Sequence, residues 1–182
     1  MEQDKPITVP ESLRYRDGQY AFERFGGASI ATIPARSVRR FARALRSIHR
    51  PWFAVWMPVG VAELTTTGRR SGMARSTFIR AYRDGEKAYL VSITGDHALW
   101  LKNIRANPTV TLRFGRTAFT GIARDPHDEE ELEAIRRAFC QTHPFDYPEN
   151  MFHRKGFPTR TKIIELHRAW LEGGTPLVVD LA

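Results

Sequence analysis

The sequence predicts a mainly β domain of the α+β class, a small antiparallel barrel carrying peripheral helices. Three observations lead there. Short runs rich in β-branched and aromatic residues recur at Val61–Thr67, Ala74–Tyr82, Ala88–Ile93, Val110–Phe114, Thr117–Ala123 and Leu177–Leu181. Tight turn signals, Gly68–Gly72, Asp84-Gly85 and Gly115-Arg116, join neighbouring runs, which makes their pairing antiparallel. Finally, there is no G-x-G-x-x-G between a strand and a helix, no G-x-x-x-x-G-K-[ST] and no G-x-S-x-G elbow, which disfavours dinucleotide-binding, P-loop and α/β-hydrolase architectures.

In chain order, residues 1–33 are polar, are broken by Gly26-Gly27, and read as an N-terminal arm ahead of one domain over 34–182. Between residues 35 and 50, Val38, Phe41, Ala42, Leu45 and Ile48 recur at helical spacing, and Pro51 ends the helix. Arg36, Arg39, Arg40, Arg43, Arg46 and Arg50 fall in that same acid-free block and supply most of the net charge of +8. Two readings stand for this segment. Either the helix packs on the barrel with a solvated arginine face, or it lies in a membrane interface through 35–56, with Trp52, Phe53 and Trp56 beside it.

The first three runs form a meander. The Gly68-Arg69-Arg70-Ser71-Gly72 turn has glycines at both shoulders, for positive φ or close backbone approach. After Thr94–His97 comes a short helix, Leu99–Ala106, closed by Asn107-Pro108; Asn103 is placed to cap it or tie it to the meander. Asp125-Pro126 reads as an N-cap and first-turn proline for a helix running to about Cys140, with the acids at 128–131 as its solvated start. His143–Pro158, with its prolines, reads as loop, and Thr159–Leu171 as a helix stopped by Gly173-Gly174.

Composition excludes several functions. One cysteine, Cys140, rules out an internal disulfide and fits a reducing compartment, and burial is a better expectation for it than nucleophilicity. The six histidines show no metal-binding spacing, so no metal is expected. Charges interrupt every apolar run well short of a membrane span, and Met1–Pro10 lacks signal-peptide architecture, so a cytoplasmic location is expected. The arginine block has no interleaved aromatics or recognised module, which argues against nucleic acid.

Chemistry concentrates around Leu64–Trp100. Arg69, Arg70 and Arg75 flank one turn, where guanidinium groups and backbone amides can cradle an anion; a charged turn that discourages edge aggregation is the plainer alternative. Ser92-Ile93-Thr94-Gly95, a strand end opening into a loop, can offer amides and hydroxyls to a planar ring, and Trp100 either lies against such a ring or fills the core. With no catalytic triad in view, demanding chemistry would belong to a cofactor.

Leu64-Thr65-Thr66-Thr67-Gly68-Arg69-Arg70-Ser71-Gly72, then Arg75, then Trp100-x-x-Asn103-x-x-Ala106-Asn107-Pro108-x-Val110, resembles the deazaflavin-dependent nitroreductase family. The resemblance covers roughly 36–147 and the final strand, Pro176–Asp180. It implies a split β-barrel related to flavin mononucleotide-binding proteins, and coenzyme F420, a deazaflavin with an anionic phosphate and polyglutamate tail. By the resemblance, Arg69, Arg70 and Arg75 grip that tail and phosphate, and Thr67, Gly68 and Ser71 belong to the same cofactor-binding turn. Phe78, Ile79, Ser92, Ile93, Thr94 and Gly95 border the ring, and Leu99 and Trp100 close over it.

The implied reaction is hydride transfer to an electrophilic small molecule, a quinone, an enone or a nitroaromatic, with a backbone amide or the Ser92 hydroxyl as hydrogen-bond donor and Tyr147 as proton source. Three features depart from the family. The Ser92–Trp100 loop is short and lacks a lysine, Tyr147 stands alone near the C-terminal side, and 149–172 reads as an insertion with an extra helix. Flavin mononucleotide in place of the deazaflavin, and a carrier without turnover, are the alternatives; both a monomer and a homodimer are compatible with the sequence.

Overall fold

The computed structural model describes residues 51–53, 55–93, 98–154 and 156–182. The expected arm at 1–33, the basic helix at 35–50, and Thr94 and Gly95 lie outside them.

Six strands close a barrel in the order β1-β2-β3-β6-β5-β4. They are β1 (Val61–Thr67), β2 (Ala74–Asp84), β3 (Lys87–Ser92), β4 (Thr109–Phe114), β5 (Thr117–Arg124) and β6 (Thr175–Leu181). Every pairing is antiparallel, and Thr66 opposite both Arg75 and Val110 fixes the register on either side of β1. The barrel expected from sequence is present, with strand ends within two residues of the predicted ones. Among the described residues, the helices α1 (Leu99–Ala106), α2 (Glu129–Phe139), α3 (Asp146–His153) and α4 (Arg160–Gly173) decorate it.

Alternation along the strands makes two cores. Ala62, Leu64, Ala81, Ala88, Leu90, Val110, Leu112, Leu177 and Val179 fill the barrel, and Leu101 and Ile104 of α1 plug one end. On the outer wall, Tyr82, Tyr89, Val91 and Val178 meet Ile135 and Phe139 of α2 and Leu166, Ala169 and Trp170 of α4. Each large apolar side chain so buried is worth about 1.5–3 kcal/mol. Because both faces of β3 are covered, Ala88–Val91 reads as a continuous apolar run, whereas β2 is buried only at Arg80–Tyr82 and carries polar residues along much of its length.

Two helix starts differ from expectation. Asp128, not Asp125, caps α2, its carboxylate accepting the Glu131 N–H at 2.9 Å. Asp125 instead takes two hydrogen bonds from Arg105, at 2.7 Å each. Nor is the acidic start fully solvated. Glu131 is buried and accepts from Lys87, Arg124 and the His127 amide, a set of donors that holds its carboxyl far below the usual carboxylate range and ties α2 to β3 and β5. The stretch read as loop contains α3, and Pro148 does not prevent it, because a proline in the first helical turn sacrifices no intrahelical bond.

Candidate functional site

The β1–β2 turn, the β3 exit and α1 meet at one end of the barrel. This follows from topology: β1 ends, β2 begins and β3 ends on the same side. The sequence supplies the turn's shape through two glycines with different duties. Gly72 adopts φ +65°, which a residue with a β-carbon resists, whereas a β-carbon on Gly68 would stand 2.8 Å from Ser71 Oγ and 3.1 Å from the Met73 carbonyl. Arg69, Arg70, Ser71 and Arg75 are exposed around this turn.

The backbone amides do not contribute the cradle that the turn suggested. Gly68 N–H donates to the Met73 carbonyl at 2.8 Å, and the N–H groups of Ser71 and Gly72 donate to the Gly68 carbonyl at 3.1 and 2.8 Å. Arg69 N–H donates to Asn103 Oδ1 at 3.2 Å. These donors point inward to stabilise the turn, so an anion here would meet guanidinium groups rather than an amide nest. Asn103 makes the expected tie: its Nδ2 also donates to Thr66 Oγ1 at 3.1 Å, and that hydroxyl donates to the Arg75 carbonyl at 3.4 Å.

The predicted ring-side residues divide between two faces. Ile79 and Trp100 both pack, half-buried, against the barrel core, and Ser92, 1% exposed, continues the inward series of Ala88 and Leu90. Phe78 faces the outer wall, where its ring meets Phe53 edge-on at 4.9 Å, and Phe53 in turn meets Phe145 at 6.1 Å. Adjacent strand residues point oppositely, so one planar ring cannot lie flat against both Phe78 and Ile79. Ile93 packs on the outer core, Leu99 is exposed, and Tyr147 is 38% exposed on α3, which packs over the outer wall of β2. Ser92 and Tyr147 thus belong to different faces. Thr67 is half-buried at the last position of β1.

A second cluster escaped the sequence reading. On the outer wall Arg80, 5% exposed, donates from Nη2 to Asp146 Oδ1 at 2.5 Å and to His167 Nε2 at 3.0 Å, and its Nη1 lies 3.4 Å from Glu149. His167 Nδ1–H donates to the Phe139 carbonyl at 2.7 Å, so the ring is the neutral tautomer with its proton on Nδ1. Outward alternation beside Tyr82 was the available signal for Arg80, but its partners lie 66 and 87 residues away. Asp146, Glu149 and His167 have the spacing of a metal triad. The Arg80 guanidinium fills the space between them, so the cluster is a lock between β2, α3 and α4. Cys140, half-buried at the end of α2, has its thiol pushed up by burial, as an unreactive thiol would.

Burial first, and the Arg80 charge second, bring His167 from the usual 6.5 down to about 4. Between those values the unfolded chain binds a proton that the folded chain refuses. Stability is therefore full above pH 6.5 and falls by about 3 kcal/mol as the pH drops to 4. Urea unfolding across pH 4–7 should show this slope in the parent and a shallower one in His167→Gln; equal slopes would refute the assignment.

A depression of about 480 Å³, lined by Met57, Gly60, Tyr82 and Phe114 among others, opens at the opposite end of the barrel and contains none of the predicted site residues. Among the described residues no helix is long and apolar enough to cross a membrane.

A sequence model of the F420H(2)-dependent quinone reductase family matches residues 37–151. Among solved structures, the chain is similar to an F420-H2 dependent reductase at 22% identity, covering 68% of this chain and 99% of that one, with a TM-score of 0.42. It is also similar to a protein described as a domain-swapped dimer at 20% identity, covering 81% and 99%, with a TM-score of 0.45. A heme storage protein from Vibrio cholerae aligns at 12% identity over 74% and 89%, with a TM-score of 0.42.

Proposed function

The chain belongs to the F420H(2)-dependent quinone reductase family, an oxidoreductase family whose cofactor is coenzyme F420, and we propose that the acceptor it reduces is a quinone. The observation that carries the reading is the meeting, at one barrel end, of an exposed cationic turn with the helix bearing Leu99 and Trp100. The donor set suits the cofactor's tail: Arg69, Arg70 and Arg75 can take phosphate and carboxylates in bidentate fashion, and the internally bonded turn presents them without reorganising.

When bound, the reduced deazaflavin supplies a hydride. The chain's own residues then have three tasks. The arginines anchor the anionic end. Trp100 and Ile79 offer apolar surface to a ring while helping to exclude water, with Thr67, Gly68 and Ser71 shaping the approach. Tyr147, on the outer wall with α3, stands on another face from Trp100 and Ile79, and the buried Ser92 is suited to holding the β3 exit in place, so neither is assigned the proton that an acceptor oxygen requires. Mixed with reduced coenzyme F420, the protein should oxidise it at least about tenfold faster with a soluble quinone than with a nitroaromatic or an enone, a discrimination of about 1.4 kcal/mol. Equal or reversed rates would remove the quinone assignment, and tight binding without any acceptor reduction would favour a carrier.

A quinone that partitions into lipid also gives purpose to the basic segment. Trp52 and Trp56 are 70% and 61% exposed, Val55 and Val59 are exposed beside them, and the arginine block of 36–50 precedes them in the chain. Such a combination suits contact with an anionic membrane surface through 35–56. Vesicles containing phosphatidylglycerol should retain the protein at low salt and lose it when residues 1–50 are deleted, while coenzyme F420 affinity persists. Unchanged vesicle binding by the truncated chain would dismiss the idea.

A further inference from the structure

We propose that Asn103 is a positioning residue that couples the arginine turn to helix α1, so that the tail-holding and ring-facing parts of the site move as one unit. This rests on the reading of the turn as the tail site. Asn103 is 7% exposed, and both ends of its amide are used. Oδ1 accepts the Arg69 N–H at the outgoing leg of the turn. Nδ2 donates to Thr66, whose hydroxyl reaches the Arg75 carbonyl on the returning leg. One side chain of α1 is therefore bonded, directly or through a single hydroxyl, to the backbone of two of the three arginines.

The other end of the coupling is Trp100, three residues earlier on the same helix and so on a neighbouring position of one helical face. Helix α1 has only eight residues, too few to be stable by itself, and Ala98 provides no side-chain cap. Its placement depends on Leu101 and Ile104 in the barrel end and on the Asn103 amide. A shift of the turn that breaks either Asn103 bond leaves a buried amide group unsatisfied, and a rotation of α1 that moves Trp100 does the same. The Arg69 side chain thus owes its position at the anion site to a residue that itself touches no anion.

A double-mutant cycle on the affinity for coenzyme F420, read by cofactor fluorescence in the full-length protein, tests the coupling. Arg69→Gln should weaken binding by roughly tenfold in the parent and by about twofold or less in Asn103→Ala, because a misplaced guanidinium has little left to lose. Thr66→Val cuts the same relay at its other end and should blunt the Arg69→Gln effect in the same way; it serves if Asn103→Ala does not fold. Equal losses from Arg69→Gln in all backgrounds would overturn the coupling while leaving the tail site intact. No loss from Arg69→Gln in the parent would overturn the tail site and the coupling with it.

Discussion

Replacing Arg69 and Arg70 together by glutamate should reduce the affinity for coenzyme F420 by at least about a hundredfold. Hydrogen bonds to charged groups contribute about 1.5–3 kcal/mol each, and reversing the donor turns attraction into repulsion. Exposure tempers this, because surface charges are screened by water and salt, so the effect should grow as ionic strength falls. The turn itself should persist, because it is held by backbone bonds of Gly68, Ser71 and Gly72 and by Asn103, none of which uses a guanidinium group. Titration of the folded variant with parent-like affinity would remove the tail from this turn.

The second large effect concerns folding. Arg80→Met should cost about 3–5 kcal/mol, the usual result of removing one partner from a buried ion pair. Asp146 is buried and Glu149 partly so, and each would be left facing apolar surroundings without its cation. Burial already lifts the Glu149 carboxyl against the pull of Arg80, and losing that cation should lift it further. Asp146 keeps a hydrogen bond from the His143 amide. For a domain of this size the melting temperature should drop by roughly 10 °C. Adding Asp146→Asn and Glu149→Gln should restore part of the loss, since polar neutral groups are cheaper to bury than unpaired charges. A loss below about 1 kcal/mol in the single variant would show that the cluster is not the lock described here.

How much of this was legible in the sequence depends on the range of the interaction. The Gly68–Gly72 turn was legible because φ preference and close approach are properties of a few consecutive residues, and the limits of α1 were legible for the same reason. Helix α3 is not legible because the prolines around it read as breakers, although Pro148 sits where the helix needs no N–H. Asp125 reads as the α2 cap as readily as Asp128 because both precede the same apolar pattern; only the place of Arg105 draws Asp125 away. Alternation already put Phe78 and Ile79 on opposite faces, but with apolar cover on both sides of β2 nothing in the pattern says which face is the barrel's interior.

By itself, then, the sequence determined the antiparallel meander, the cationic turn between β1 and β2, and the Trp100–Pro108 segment that ties this turn to an F420-dependent family. These are written in short-range spacing, where steric preference and charge act between near neighbours. Only the tertiary structure decided the rest: the turn amides are spent inward, Asn103 grips both legs of the hairpin, and Arg80 is locked by Asp146 and His167. The Arg80 lock exists because β6 closes the barrel between β3 and β5 and carries α4 back onto the wall of β2, so that groups far apart in the chain meet away from water.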